Sequence, residues 1–510
     1  MQKFLLDHIK SFEYSGKIEI KPITIFVGKN SSGKSSLLRF PVVLAQTFRE
    51  DAITPLLLFG NMIDYGNYDD VAYRHESSPL GFGISFGREL SRFVNMELRS
   101  TVDEFSLMKH LANMNADVQV YIAKPSKKLE VEKTELHLNG EKVFTLSRHS
   151  VNSYTFVIHK LYNQDGKIWE NGERECEVKD TLFNKFIPLL DVESIVNQLC
   201  ADMVRKNSKP LPEFRYSYTI GDYIEHNIYK KNKMEYRSIY DTVLIISAYY
   251  RAIRRQLASE AAGLAYIGPF RENPKRIYRD SESSYDDVGV NGENTSMLLR
   301  QAAQGNRKLL EDVSDWLQDA MGYKLAIKDM ENGLYSLVVQ GNEETDNIMD
   351  VGYGISQVLP IVTQLLNIGR NNRRMQVGHS LVQKTVIFEQ PEIHLHPAAQ
   401  AQLADLFVEC INHKKGEINR VLIETHSEHL IRKLQVLVAD PDVPILSDQV
   451  AIYYVDKDKM GNSYIDKMEL CNNGQFKKPW PSGFFDKNYE LTRLLMKANQ
   501  KVAFQENNYD

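Results

Sequence analysis

Eight residues near the start of the chain, Gly28-Lys29-Asn30-Ser31-Ser32-Gly33-Lys34-Ser35, follow the spacing G-x-x-x-x-G-K-S. Residues of these types at this spacing make a phosphate cradle. Gly28 and Gly33 let successive backbone N–H groups turn inward, a helix beginning at Lys34 adds its positive end, Lys34 reaches the outer phosphates, and the Ser35 hydroxyl ligates Mg2+. Asn30, Ser31, Ser32 and Ser36 complete the loop around the anion. A glycine-serine turn would use the same letters. Here, however, the loop follows the β-branched run KIEIKPITIFV and precedes the helical run SSLLRFPVVLAQTFRE, which is the strand-loop-helix context the cradle requires.

Such a loop needs an acidic partner, and Val386-Ile387-Phe388-Glu389-Gln390-Pro391-Glu392 supplies one at the end of an apolar strand. Glu389 would hold Mg2+ directly or through water, with Gln390 or Glu392 within reach of the attacking water. Thr425-His426-Ser427 follows the strand RVLIE, which puts His426 at the carboxyl end of a neighbouring strand, where it can meet the γ phosphate. Asp350-Val351-Gly352-Tyr353-Gly354-Ile355-Ser356-Gln357 precedes a helix expected to begin near Val358, so Gly354, Ser356 and Gln357 would present N–H and hydroxyl donors to a phosphate. His394, His396, His426 and His429 also admit a metal cluster, although hydrogen bonding in loops and a contact between copies account for them more simply.

In this order the elements GKNSSGKSS, DVGYGISQVLP, VIFEQPEIHLHP and ETHSEHL resemble Walker A, a variant signature, Walker B and the switch-histidine region of ABC-type ATPases related to RecF, the SMC proteins and the OLD proteins. Within that group the pattern is similar to bacterial AAA-type ATPases whose chains end in a GQF…WPSGFFD segment, here Gly474 to Asp486. Several such relatives serve in phage defence beside a separate effector protein. The resemblance implies ATP and Mg2+, with Lys34 and Ser35 on phosphates and metal, Glu389 on the metal, and His426 on the γ phosphate. It also implies a homodimer or higher oligomer closed around nucleotide, with Ser356 acting on nucleotide held by a second copy. The activity implied is ATP hydrolysis in a sensor or scaffold that controls a separate nuclease or toxin; the alternative is a RecF-like DNA-repair or maintenance ATPase that binds DNA directly. Two departures stand out. ABC-type Walker B strands end in Asp-Glu, whereas Glu389-Gln390 stands here, and glutamine cannot take a proton. Either Gln390 only positions water and turnover is slow, or Glu392 or another acid substitutes, or Gln390 is an engineered trap substitution. The signature is also not LSGGQ.

The β-then-α rhythm reads as an α/β fold with a helix-covered parallel sheet, and the resemblance implies an ABC-type head with an antiparallel β lobe and a helical insertion. Residues 1–180 read as the first lobe, with the phosphate loop and alternating strands between Gly81 and Val178 separated by the turn pairs Asn139-Gly140, Asp165-Gly166 and Asn171-Gly172. Residues 181–322 read as a mainly helical insertion, 323–470 as the second lobe in β-then-α rhythm, and 471–510 as a tail packed on the body. The D-x-D stretch around Asp456 is similar to part of a Toprim nuclease, but too few residues follow it, and a hairpin is expected instead. Lys and Arg number 62 against 67 Asp and Glu, so no excess of positive charge advertises nucleic acid. Phe270, Arg271, Lys275, Arg276 and Tyr278 form a small basic and aromatic cluster that could contact phosphate or nucleic acid, although a solvated loop accounts for it more simply. The four cysteines are widely spaced, no start resembles a signal peptide, and no apolar run approaches the ~20 residues of a membrane span. A cytoplasmic protein without a membrane partner is expected.

Overall fold

The structure, a computed structural model, describes residues 1–99, 113–151, 153–162, 168–179, 181–205, 230–341, 344–368, 376–377, 380–381, 383–412, 420–481 and 494. Its central sheet has six strands in the order Leu264–Ile267, Thr385–Glu389, Arg420–Glu424, Ile23–Gly28, Val450–Lys457 and Ser463–Met468. The first five run parallel, and the sixth turns back as an antiparallel hairpin partner. Strands buried on both faces must be apolar at nearly every position, which is why ITIFV, TVIF and RVLI read as continuous runs rather than alternations.

Strand periodicity sorts these side chains onto two cores. Phe26, Ile387, Leu422 and Tyr453 meet Leu37, Phe40 and Val43 of the helix Lys34–Arg49 on one face. Ile25, Val27, Phe388, Ile423 and Tyr454 meet Val358 and Val362 of helix Tyr353–Ile368, Leu403 of helix Pro397–Asn412 and Leu434 of helix Glu428–Ala439 on the other. The five parallel strands therefore open their carboxyl ends along one edge, the place where such sheets hold ligands. Register matters there: Glu389 pairs with Glu424, and Glu424 with Phe26, so two acids stand side by side while the phosphate-loop strand runs on to Gly28.

A nine-stranded sheet, antiparallel at every pairing, makes the first lobe, running from Ile168–Lys179 through Ser153–Tyr162, Glu141–Ser150, Glu130–Leu138, Ala116–Ala123 and Leu80–Phe86 to Lys3–Ile9 and Phe12–Tyr14, with Ile18–Glu19 paired to Lys3–Ile9. Its alternation buries Val118, Val120 and Ile122 in the first core, which helix Lys230–Ala262 shares. The turn at Asn139-Gly140 takes positive φ at both residues, as a tight hairpin requires.

Several expectations need correction. Asn171-Gly172 is not a turn but lies inside strand Ile168–Lys179, where the pairing shifts register; Asp165-Gly166 lies outside the described residues. The described part of VNMELRS, Val94 to Arg99, is helical, within Leu90–Arg99, because Leu90, Phe93, Val94, Glu97 and Leu98 are buried at helical spacing. The described part of 181–322 is mainly helical, but it also contributes strand Leu264–Ile267 to the central sheet, and helix Lys230–Ala262 packs on Lys34–Arg49 in the first core. Leu334–Gln340 joins a small antiparallel sheet with Lys324–Asp329 rather than the parallel one. The stretch around Asp456 is a hairpin strand, and the described part of the tail packs Phe476 and Trp480 together, with Trp480 edge-on to Tyr454. The rest of the GQF…WPSGFFD segment, from Ser482, lies outside the described residues. Among the described residues no helix is long and apolar enough to cross a membrane.

Candidate functional site

The phosphate loop leaves its strand at Gly28, whose φ is 141° and whose backbone lies so close to the next strand that a Cβ would fall 1.9 Å from the Val455 oxygen. Only glycine fits. Gly33, at φ 104°, ends the loop against Ser11 and Phe12 and caps the helix that starts at Lys34. Ser31 also takes a left-handed conformation, φ 59°. Together Asn30, Ser31, Ser32, Gly33, Lys34, Ser35 and Ser36 line a cleft of about 580 Å³, within the usual range for small-ligand sites. Among the described residues the buried hydroxyls of Ser11 and Ser32 find no partner, which fits a cleft built to be completed by an acceptor-rich ligand. Lys34 is buried, and its Nζ donates to the Lys29 carbonyl at 2.7 Å. Burial lowers its pKa while Glu424, 3.9 Å away, pulls the other way.

The acids at the strand ends have different surroundings. Both Glu389 oxygens are taken by Arg39, one helical turn beyond Ser35, at 2.6 and 2.8 Å, and Tyr266 donates its hydroxyl to Oε1 at 2.6 Å. The carboxylate raises the Arg39 pKa, and burial raises that of Tyr266. Glu424 faces the cleft instead, beside Lys34 and Ser35. Burial pushes its carboxyl above the ordinary range, against the pull of the Ser35 hydroxyl. A serine hydroxyl beside a buried carboxylate is an oxygen donor set suited to Mg2+.

Gln390 lines the cleft at φ 46°, a left-handed conformation uncommon for a side-chain-bearing residue. Its N–H donates to the Glu424 carbonyl at 2.8 Å, and its own carbonyl accepts from Arg271 at 3.2 Å. Arg271 also donates to the Glu389 carbonyl at 2.7 Å; it is buried, and desolvation brings its pKa down to about 10. This arginine is therefore part of the site's framework rather than of a solvated cluster. Glu392 does not line the cleft: it is buried behind it and accepts the His426 backbone N–H at 2.6 Å, and burial raises its pKa. His426 lines the cleft and is held neutral, its pKa lowered to about 4 by burial and by Lys34. Ser427 caps the helix that follows.

The signature residues stand elsewhere. Helix Tyr353–Ile368 begins five residues before Val358, so Gly354, Ser356 and Gln357 lie inside its first turns, and none of them lines the phosphate-loop cleft of its own chain. Gly354 packs so closely on the 390–396 loop that a Cβ would lie 2.9 Å from the His394 oxygen. Ser356 is buried, with its hydroxyl donating to the Tyr353 carbonyl.

Sequence reasoning passed over Glu424, Arg39 and Tyr266, placed Arg271 in a solvated loop, and passed over Lys10, Asp70, Arg74 and His75, which form the cleft's rim from the first lobe. Two of these carried a signal. Glu424 ends an apolar strand just as Glu389 does, and Arg39 lies four residues after Ser35 on a helix, hence on the same face. The rim residues come from the turn at Lys10 and from two short helical segments, Tyr68–Val71 and Tyr73–His75, and had none.

Among solved structures, the chain is similar to an Smc head domain from Pyrococcus furiosus, in a crystal structure with an extended coiled coil and the C-terminal domain of ScpA, at 12% identity over 92% of this chain and 96% of that one, with a TM-score of 0.36. It is also similar to an SMC head domain from Thermotoga maritima, at 10% identity over 92% and 99%, with a TM-score of 0.34. No curated protein matches. A family described only as a protein of unknown function matches residues 445–495. The model of the AAA ATPase domain matches residues 8–431, a span that holds the phosphate loop and four of the five parallel strands, and the chain is a member of the AAA ATPase domain family.

Proposed function

We propose that the chain binds and hydrolyses ATP in the Gly28–Ser36 cleft, closes as a dimer or higher oligomer around nucleotide, and through that cycle controls a separate effector protein in bacterial anti-phage defence. One observation carries the nucleotide reading: a glycine-turned loop at a strand end presents seven consecutive residues to a cleft whose lysine is buried and parked on the loop's own Lys29 carbonyl. Lys34 would exchange that carbonyl for phosphate oxygens, a charge-assisted bond in a site of low dielectric. Mg2+, held by Ser35 and an adjacent carboxylate, would supply charge neutralisation for the phosphates. Gln390, fixed by Arg271 and by the Glu424 carbonyl, would orient water without taking its proton. His426, neutral at pH 7, would donate or accept one hydrogen bond at the terminal phosphate. Gly354, Ser356 and Gln357 lie outside their own chain's cleft, which supports their use by a second copy. The effector and defence roles rest on the four ordered motifs and their resemblance alone.

The test is ATP binding and ATP-dependent association, followed by a fluorescent ATP analogue and by sedimentation, for the wild type and Lys34→Ala. Loss of both in the variant is expected; unchanged binding and association would refute the reading. Salt-dependent retention of duplex DNA, with a steep loss of affinity as salt rises, would instead favour direct DNA binding.

A further inference from the structure

Two carboxylates end neighbouring strands at the head of the cleft, and only one has an oxygen to spare. Glu389 stands where the sequence pattern places the metal-holding acid, yet Arg39 grips both of its oxygens in bidentate geometry and Tyr266 donates a third hydrogen bond. A cation there would meet a full guanidinium charge at contact distance and would have to break the strongest kind of hydrogen-bonded pair. Glu424 is one strand nearer the phosphate loop and 4% exposed; it lines the cleft and, among the described residues, leaves Oε2 buried without a hydrogen-bond partner. A buried carboxylate oxygen in that state is costly unless something else completes it. The helix Lys34–Arg49 explains the division: Ser35 and Arg39 share one face, and the two acids are register neighbours, so Ser35 lies by Glu424 while Arg39 binds Glu389.

We infer that Glu424, rather than Glu389, is the carboxylate that holds Mg2+ with Ser35 when ATP occupies the cleft, and that Glu389 is a structural acid fixed by Arg39 and Tyr266. The assignment deepens the ATP-binding reading above and rests on it. It also accounts for the departure at Gln390: the strand carrying Glu389 and Gln390 has one end committed to Arg39, and the cleft's available acid comes from the strand beside it.

Binding of a fluorescent ATP analogue to the full chain, in Mg2+ and in excess EDTA, separates the two acids when measured for the wild type, Glu424→Gln and Glu389→Gln, with a thermal melt of each. Wild type should bind more tightly with Mg2+. Glu424→Gln should lose that Mg2+-dependent gain by about tenfold or more while its affinity in EDTA is kept, and Glu389→Gln should retain the gain although it melts earlier. Should Glu424→Gln fail to fold, Glu424→Asp, which keeps the charge but retracts the carboxylate, is read in the same way. Retention of the gain by the Glu424 variant, or its loss in Glu389→Gln, overturns the assignment. A wild type that binds no nucleotide, or a Lys34→Ala variant that binds as well as wild type, overturns the ATP reading instead, and the inference falls with it.

Discussion

Removing Arg39 strands a buried charge, and the cost can be worked from the surroundings of the pair. The Glu389 side chain is 3% exposed and that of Arg39 31%, so the acid cannot recover its hydration while the base partly can. Breaking a buried pair from one side costs about 3–5 kcal/mol, and the residual exposure of Arg39 places Arg39→Ala near about 3 kcal/mol. Glu389→Gln keeps a polar group for Tyr266 and leaves a partly solvated guanidinium, so it should cost about 1–2 kcal/mol. Once the carboxylate is gone, losing Arg39 removes little more. The double variant should therefore lie near about 2 kcal/mol, leaving a coupling of roughly 2.5 kcal/mol. Urea denaturation of the four proteins, compared by midpoint where the slopes agree, measures this cycle. A coupling within about 0.5 kcal/mol of zero would show that Arg39 does not hold Glu389, and would also remove the argument that Glu389 is unavailable to a cation.

Gly28→Ala should lower soluble yield and melting temperature severely, by more than about 4 kcal/mol, because its methyl group meets strand backbone at Val455 and no side chain can give way; Gly461→Ala, with open space around it and φ 84°, should cost only about 1–2 kcal/mol in the same melt. In nucleotide-free protein, His426 should stay neutral by histidine-resolved NMR from neutral pH down to about 4. The sign follows: below an ordinary pKa of about 6.5 the unfolded chain takes a proton that the native site refuses, so this residue's contribution falls as pH drops toward about 4, and His426→Gln should flatten that part of the stability profile. Lys29→Ala should leave the melting temperature unchanged despite its 2.7 Å contact with Asp456, since the lysine is 63% exposed and the pair is screened by water; a clear drop would show that the pair helps hold the loop.

Motifs that depend on one short stretch were legible from the letters. The phosphate loop works through local backbone, glycines at fixed positions between a strand and a helix, and each of Asn30 to Ser36 lines the cleft. His426, at a strand's carboxyl end, was legible for the same reason. The start of helix Tyr353–Ile368 was less so. Its first turns are buried against the 390–396 loop, and that packing overrides the local preference of the glycine-containing segment Asp350–Gly354. The helix Leu90–Arg99 was hidden because β-branched and aromatic residues suit either state until the partner surface is known.

By itself the sequence determined the chemistry on offer: a phosphate cradle, the strand-ending acid Glu389, a glutamine where a proton acceptor is usual, and a histidine. Composition and the parallel rhythm of short apolar runs determined the fold class, because burial on both faces leaves few other ways to use such strands. Only the tertiary structure decided which acid the cleft receives. Glu389 and Glu424 look alike in the chain, each closing an apolar strand, and neither is near Ser35 or Arg39 in sequence. Strand order and parallel register set them side by side, and the turn of one helix presents a serine to the first available carboxylate and an arginine to the other. Electrostatics at contact distance then separates two otherwise equivalent residues, and contact distance is a property of the fold.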